Sequence, residues 1–396
     1  MTAETQPLPA ATAGDSFLTN PKVRSVAVQI ILIVAVVAFA WWIVDNTARN
    51  MAQAKMASGF GFLSTRSSFE IGQTALEYSS NSSYGRAIII GLLNTLIIAV
   101  SGIILATILG FIVGIARLSR NFLLRGLATV YVETFRNVPP LLVILFWYFG
   151  VLSLLQAPRN LPESAIGVYL TNRGLQMPAI LFEPLAWLTF LALVAGIAGS
   201  MWLSRRNKAH QLATGERRST LLPALAMIVG LPLLVFLLTG LPASMEVPTA
   251  TRFNLVGGVQ IRPEFIALFL ALSIYTGAFI AEIVRAGILS VSKGQTEAAM
   301  AVGLKRGQLL RLVVVPQAFR VIIPPLTSQY LNLTKNSSLG FAIGYPELYS
   351  IGSTVANQAG QTVEIVAIWI LCYLGLSLIA SFLMNMFNAR MALVER

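Results

Sequence analysis

Thiol and imidazole are almost missing from this chain: Cys372 and His210 are the single cysteine and the single histidine in 396 residues. One thiol cannot close an intrachain disulfide. One thiol and one imidazole, in separate segments, do not furnish a structural zinc site or a histidine-based triad. Charge is also scarce, at 11% of residues against about 25% in an ordinary soluble domain. The phosphate-cradling pattern G-x-x-x-x-G-K-[ST] occurs nowhere, so no P-loop for nucleotide hydrolysis is present. The polar cluster that a membrane-bound enzyme would need is missing as well.

What the chain has instead is apolar length. Fifty-six per cent of residues are hydrophobic, in runs that reach the roughly 20 residues needed to cross the hydrocarbon core of a bilayer. The expectation is an all-α polytopic membrane protein with about eight spans: 25–44, 87–116, 130–155, 179–203, 221–241, 264–283, 321–343 and 363–387. Gly110 and Gly114 in the second have the spacing that lets helices approach closely. Pro139-Pro140 should bend or restart the third. The seventh is unusual for a span because it carries Asn332, Lys335 and Asn336. No internal repeat of 20–50 residues is visible, and the first 20 residues have the composition of a disordered tail.

The first apolar run is too long for the core of a cleaved leader and carries Trp41-Trp42 where an aromatic belt would lie. We therefore expect a tail at 1–24, an added first helix at 25–45 and an outer segment at 46–86. Lysine and arginine set the orientation. With the N-terminus inside, 18 of the 28 basic residues fall in inner segments, against 8 in the opposite loops. Each short inner loop is enriched, including Arg205, Arg206, Lys208, Arg217 and Arg218 between spans four and five. The positive-inside rule then puts both termini in the cytoplasm.

Between spans six and seven the pattern changes. Ala298, Ala299 and Val302 can share one face of a short helix, Gly303 supplies the backbone freedom for a corner, and Leu309, Leu312 and Val313 line a second short piece. Lys305, Arg306 and Arg311 stay solvated, and Pro316 should end the piece before the next span. Such a unit buries too little to stand alone. Two readings are open: a helix laid into a partner's groove, or an interfacial basic helix on anionic headgroups.

Charged residues within spans need a partner or a cavity. Glu133 with Arg136, and Glu282 with Arg285, are i,i+3 pairs at helix ends, open to a reading as ion pairs or as substrate contacts. Lys335 could meet a substrate carboxylate or neutralise Glu133 or Glu282. Glu183 should lie at an interface.

Glu297-Ala298-Ala299, Gly303, then Val313, Val315 and Pro316 resemble the "EAA" loop of permeases of ATP-binding-cassette importers. Tyr131-Val132-Glu133-Thr134-Phe135-Arg136-Asn137-Val138-Pro139, Ala281-Glu282-Ile283-Val284-Arg285-Ala286-Gly287, Pro316-Gln317-Ala318-Phe319-Arg320 and Asn332-Leu333-Thr334-Lys335-Asn336-Ser337-Ser338-Leu339 are similar to the polar amino-acid permease family, the histidine/glutamine/arginine type. The long form resembles its general L-amino-acid branch. These segments cover about half the chain.

The resemblance implies a type I (MetI-like) fold with a five-helix core over 87–390, interrupted by an insertion at 157–262 that carries spans four and five. It implies a bacterial inner-membrane subunit that imports L-amino acids and performs no catalysis itself, with no cofactor or metal of its own. ATP and magnesium would sit on two partner ATPases docked at 290–316, where Glu297 makes a polar contact and Ala298, Ala299 and Gly303 allow close approach. A second permease subunit and a periplasmic amino-acid-binding protein complete the implied assembly. Val291-Ser292-Lys293-Gly294-Gln295 superficially echoes the ATPase signature loop, but that loop works only within a nucleotide-binding domain. An ion-coupled secondary transporter is the alternative; it would show repeated halves and mid-span carboxylates.

Overall fold

A computed structural model describes residues 21–53, 58–158, 164, 166–216, 218–241, 243–251 and 254–391. The expected tail over 1–20 lies outside them. Among the described residues, seven helices are long and apolar enough to cross a membrane, or eight spans if a bent pair counts as one.

The centre of the molecule is the pairing of α2 (Tyr84–Ala116) with α8 (Pro263–Leu289). Small residues face each other there: Gly102, Ala106, Gly110 and Gly114 on α2, and Ala267, Ala271, Ala278 and Ala281 on α8 are all buried. Without side-chain bulk the two backbones approach closely, which is how helices gain dispersion energy where no hydrophobic drive exists between them. A Cβ on Gly114 would lie 2.7 Å from the Ala281 carbonyl oxygen. Larger residues fill the spaces alongside, with Ile98, Ile144, Leu268, Leu272, Ile280 and Leu333 almost wholly buried in one cluster.

The third span is two helices. α3 (Phe122–Asn137) and α4 (Pro140–Leu145), which continues through wider and tighter turns to Leu154, meet at 111° across Val138-Pro139. A proline disfavours helical geometry in the residue before it, and Val138 accordingly has extended φ −101°, ψ 134°. On α3, Tyr131 donates to the Ile274 carbonyl of α8 at 2.6 Å.

Two expectations about the spans need correction. The fourth begins at Ala186, not 179: Ala179–Phe182 is a strand, because Glu183-Pro184 breaks the apolar run and β-branched and aromatic residues find a pairing partner. Its helix, α5 (Ala186–Thr214), carries the basic cluster 205–210 on its last turns, not in a loop. It packs beside the fifth span, α6 (Leu221–Leu225) and α7 (Leu231–Leu238), joined through a widened turn.

Among the described residues, seven short strands lie between 169 and 261. β1 (Tyr169–Thr171), β2 (Gly174–Met177) and β7 (Val259–Ile261) form an antiparallel sheet, with Leu175 opposite Ile261. β3 (Ala179–Phe182) pairs with β4 (Ala243–Glu246), and β5 (Thr249–Ala250) with β6 (Leu255–Val256). These strands cap the end of the bundle from which α8 starts.

The added first helix, α1 (Pro21–Gln53), is exposed along its apolar length. The remaining elements are α9 (Lys293–Ala301), α10 (Arg306–Leu309), α11 (Val315–Asn336), α12 (Leu348–Ala359) and α13 (Thr362–Met391). At the turn into α12, Glu347 is fully buried and caps the helix, accepting from Tyr349 and Ser350 N–H at 2.7 Å each and from the Tyr373 hydroxyl at 3.1 Å. Burial pushes its carboxyl up to about 7, against the opposing pull of those hydrogen bonds.

Candidate functional site

The segment from 290 to 316 lies at the end of α8 opposite the strands. α9 is nine residues long and ends at a corner where Gly303 has φ +82°. That left-handed conformation costs a residue with a Cβ about 1–2 kcal/mol, and glycine nothing. The Gly303 N–H donates to the Met300 carbonyl at 2.9 Å and the Leu304 N–H to Ala299 at 3.2 Å, closing the turn. Lys305 N–H then donates to the Gln308 side chain at 3.0 Å, starting α10.

One face of this unit is fixed and the other is free. Ala299, Leu309 and Val314 are buried together, with Ile288 and Val291 from the end of α8 against them. Glu297, Ala298, Met300 and Val302 are exposed, Val302 by 77%. The expected grouping of Ala298, Ala299 and Val302 is therefore split: Ala299 anchors the helix, and Ala298 and Val302 share the open side. Leu309 and Val313 pack inward and Leu312 faces out, 61% exposed.

Pro316 does not end the second piece. α10 runs through a widened turn at 310–314 into α11 as one rod from 306 to 336. A proline ring clashes with the carbonyl four residues back in a regular helix; the wider turn ahead of Pro316 makes room for it. Loop and span are thus mechanically continuous.

Next to this unit, three arginines converge on Glu282. Arg285 Nη2 lies 2.6 Å from its Oε1, Arg117 bonds its Oε2, and Arg136 Nη1 stands 3.9 Å from the same oxygen. Glu133 does not pair with Arg136 as its i,i+3 spacing suggests; it faces Arg117 at 3.4 Å, and the Arg136 guanidinium stacks 5.7 Å from the Phe279 ring centre. Arg117, 11% exposed and common to α2, α3 and α8, was not singled out by spacing. It immediately follows the apolar stretch that ends α2 at Ala116. Lys335 is exposed and makes no salt bridge among the described residues, so Glu133 and Glu282 are neutralised by Arg117 and Arg285 instead. No group of three or more metal-ligating side chains occurs among the described residues.

Residues 106–393 match the family described as binding-protein-dependent transport system inner membrane component. This chain belongs to that family. Its fold is the type I importer permease fold, built on the α2–α8 pair, and the chain is a membrane permease subunit. Over 381 residues it is 56% identical to the general L-amino acid transport system permease protein AapQ of Rhizobium johnstonii, covering 96% of this chain and 95% of that one. It is 48% identical over 384 residues to a putative amino-acid ABC transporter permease, YhdX, of Escherichia coli, covering 97% and 98%. It is 41% identical over 409 residues to the glutamate/glutamine/aspartate/asparagine permease BztB of Rhodobacter capsulatus, covering 95% and 96%. The ion-coupled alternative has no support from this family, whose transport depends on a binding protein.

Proposed function

We propose that the chain is the membrane-spanning subunit of an ATP-driven importer that moves L-amino acids from the periplasm to the cytoplasm. The relatives' names supply the substrate class, and the 290–316 unit supplies the mechanism. A nine-residue helix whose outer edge combines a carboxylate (Glu297) with exposed apolar atoms (Met300, Val302) suits a groove on a soluble partner. Its inner edge, through Ala299, Leu309 and Val314, is locked to α8 and to the α10–α11 rod. Closure of two ATPase subunits would therefore rotate both core helices together rather than flex a loop. The observation that carries this reading is the division of α9 into an edge buried through Ala299 and an exposed edge carrying Glu297, Met300 and Val302.

In this reading both termini are cytoplasmic, 87–390 is the translocation domain with 157–262 inserted into it, and a second permease subunit faces the path side of the core. Hydrolysis, with its ATP and magnesium, belongs to the partners. Lys335, exposed on α11, would meet substrate carboxylates. Glu133, Arg136, Glu282 and Arg285 act as structural ion pairs.

Uptake of labelled L-glutamine by proteoliposomes holding the whole complex tests the proposal. Transport should require ATP and the binding protein and survive ionophores. Uptake that persists without ATP and collapses with an ion gradient would overturn it.

A further inference from the structure

At the strand-bearing end of α8, the 157–262 segment and the core line an open polar cleft of about 380 Å³, within the roughly 300–1,000 Å³ range of small-molecule sites. The tip of the β1–β2 hairpin contributes Asn172 and Arg173, β7 contributes Gln260, the entry into α8 contributes Arg262 and Glu264, and the turn after α4 contributes Tyr148. The tip is held in place. Arg173 N–H donates to Thr171 Oγ1 at 3.1 Å, Thr171 Oγ1 to the Gly174 carbonyl at 3.2 Å, and Gln260 Nε2 to the Arg173 carbonyl at 3.0 Å. Gly174, at φ +105°, lies so near β7 that a Cβ would strike the Ile261 carbonyl.

The cleft carries both signs of charge and two unmatched acceptors. Tyr148 donates to Glu264 Oε1 at 3.2 Å, which leaves Glu264 Oε2 buried and without a hydrogen-bond partner among the described residues. Asn172 Oδ1 is in the same condition. Native proteins leave few buried polar atoms unsatisfied, and each is costly. A simple anion would suit the guanidiniums and be repelled by Glu264; a simple cation would meet the reverse. A group that places a carboxylate and an ammonium a few ångströms apart satisfies both.

We propose that this cleft is a receiving site for the zwitterionic backbone of a free α-amino acid. Its carboxylate lies on the guanidiniums of Arg173 and Arg262, which favour forked bonding to carboxylates. Its ammonium donates to Glu264 Oε2 and Asn172 Oδ1. Recognition of the backbone alone leaves the side chain unread, which suits a carrier of several amino acids. The inference rests on the import reading above, with the strands on the outer side, where a binding protein releases its cargo.

The test uses the whole permease–ATPase complex in lipid nanodiscs, without binding protein, and measures equilibrium binding of labelled L-glutamine. The wild type should bind it saturably. R173A/R262A and E264Q should each weaken binding at least tenfold while the complex still assembles by size exclusion. N-acetyl-L-glutamine and L-glutaminamide, each lacking one charge, should compete at least tenfold less well than L-glutamine. Absence of wild-type binding, or binding indifferent to these variants, overturns the proposal. So does an effect of the variants confined to docking of the binding protein, which would make the arginines a protein contact. ATP-driven uptake by the wild type, measured alongside in proteoliposomes, separates the two ideas: if it persists while site binding fails, only this inference falls.

Discussion

Position 303 makes a demand on the backbone alone. Its φ of +82° suits glycine, and a Cβ built there meets nothing within 4 Å, so the cost of substitution is backbone strain alone, about 1–2 kcal/mol. Because the corner joins two anchored helices, that strain should shift α9 without unfolding the bundle. Gly303→Ile should therefore uncouple ATP hydrolysis from L-glutamine uptake at near-normal expression, whereas Gly303→Asn, whose side chain tolerates this conformation, should keep a larger share of coupled transport. Parallel assays of hydrolysis and uptake check this, and normal rates in the isoleucine variant would refute the corner's role. Glu347 makes a second residue-level demand. Its folded carboxyl is raised to about 7, above an ordinary glutamate near 4.3. The protonated form is thus favoured by folding: the contribution is fully present below about pH 4.3 and is lost as pH rises through about 7, on the order of 3 kcal/mol in all. The complex should lose thermal stability between pH 5 and 8, and Glu347→Gln should flatten that slope. An unchanged slope in the variant would place the titration elsewhere.

Among the elements, the charged cluster at Glu282 joins α2, α3 and α8 beside the 290–316 unit. Removing the carboxylate leaves three guanidiniums facing one another, so Glu282→Gln should cost about 1.5–3 kcal/mol, the scale of hydrogen bonds to charged groups. Arg136→Ala loses a contact at 3.9 Å and a stack on Phe279, both on a side chain 37% exposed, and should stay within about 1 kcal/mol. Thermal unfolding of the two variants in nanodiscs, run together, gives the ranking, and equal losses would contradict it. The contrast also shows how far sequence reaches. Pairing of Glu282 with Arg285 follows from helical spacing, because both lie on one helix. The partners of Glu133 and Arg136 are set by tertiary approach of α2 and α8, which spacing does not contain. The same division holds for the elements. Apolar runs of 20 or more residues mark spans unambiguously, and Pro139-Pro140 marks the bend. The strands between 169 and 261 are two to four residues long, too short for a period to register, and Ala179–Phe182 reads as the start of a span until its pairing with β4 is seen. Pro316 misleads for a related reason: the widened turn that accommodates it is a property of the helix, not of the residue. In the 290–316 unit, the corner at Gly303 was legible from residue type alone, while the division between anchoring Ala299 and open Val302 needed the positions of α8 and α11.

At the scale of the molecule, the two ends of α8 carry different chemistry, and transport works in only one orientation. Under the proposed function, the 290–316 unit would face the compartment that holds ATP, and the strand-bearing end the one that holds the binding protein. That orientation would put the basic residues at 205, 206, 208, 305, 306 and 311 on the inner side, as the positive-inside rule expects, an argument from insertion energetics that is independent of the coupling argument. Cys372, half-buried in α13, can be replaced by serine to give a background without reactive thiols. In that background, Ser244→Cys on exposed β4 should react with a membrane-impermeant maleimide in intact spheroplasts. Lys293→Cys, at the start of α9, should react only in inverted vesicles or after permeabilisation, and bound ATPase should protect it. The opposite pattern would leave the coupling helix out of reach of any nucleotide-driven partner, and both the orientation and the mechanism built on it would have to be abandoned.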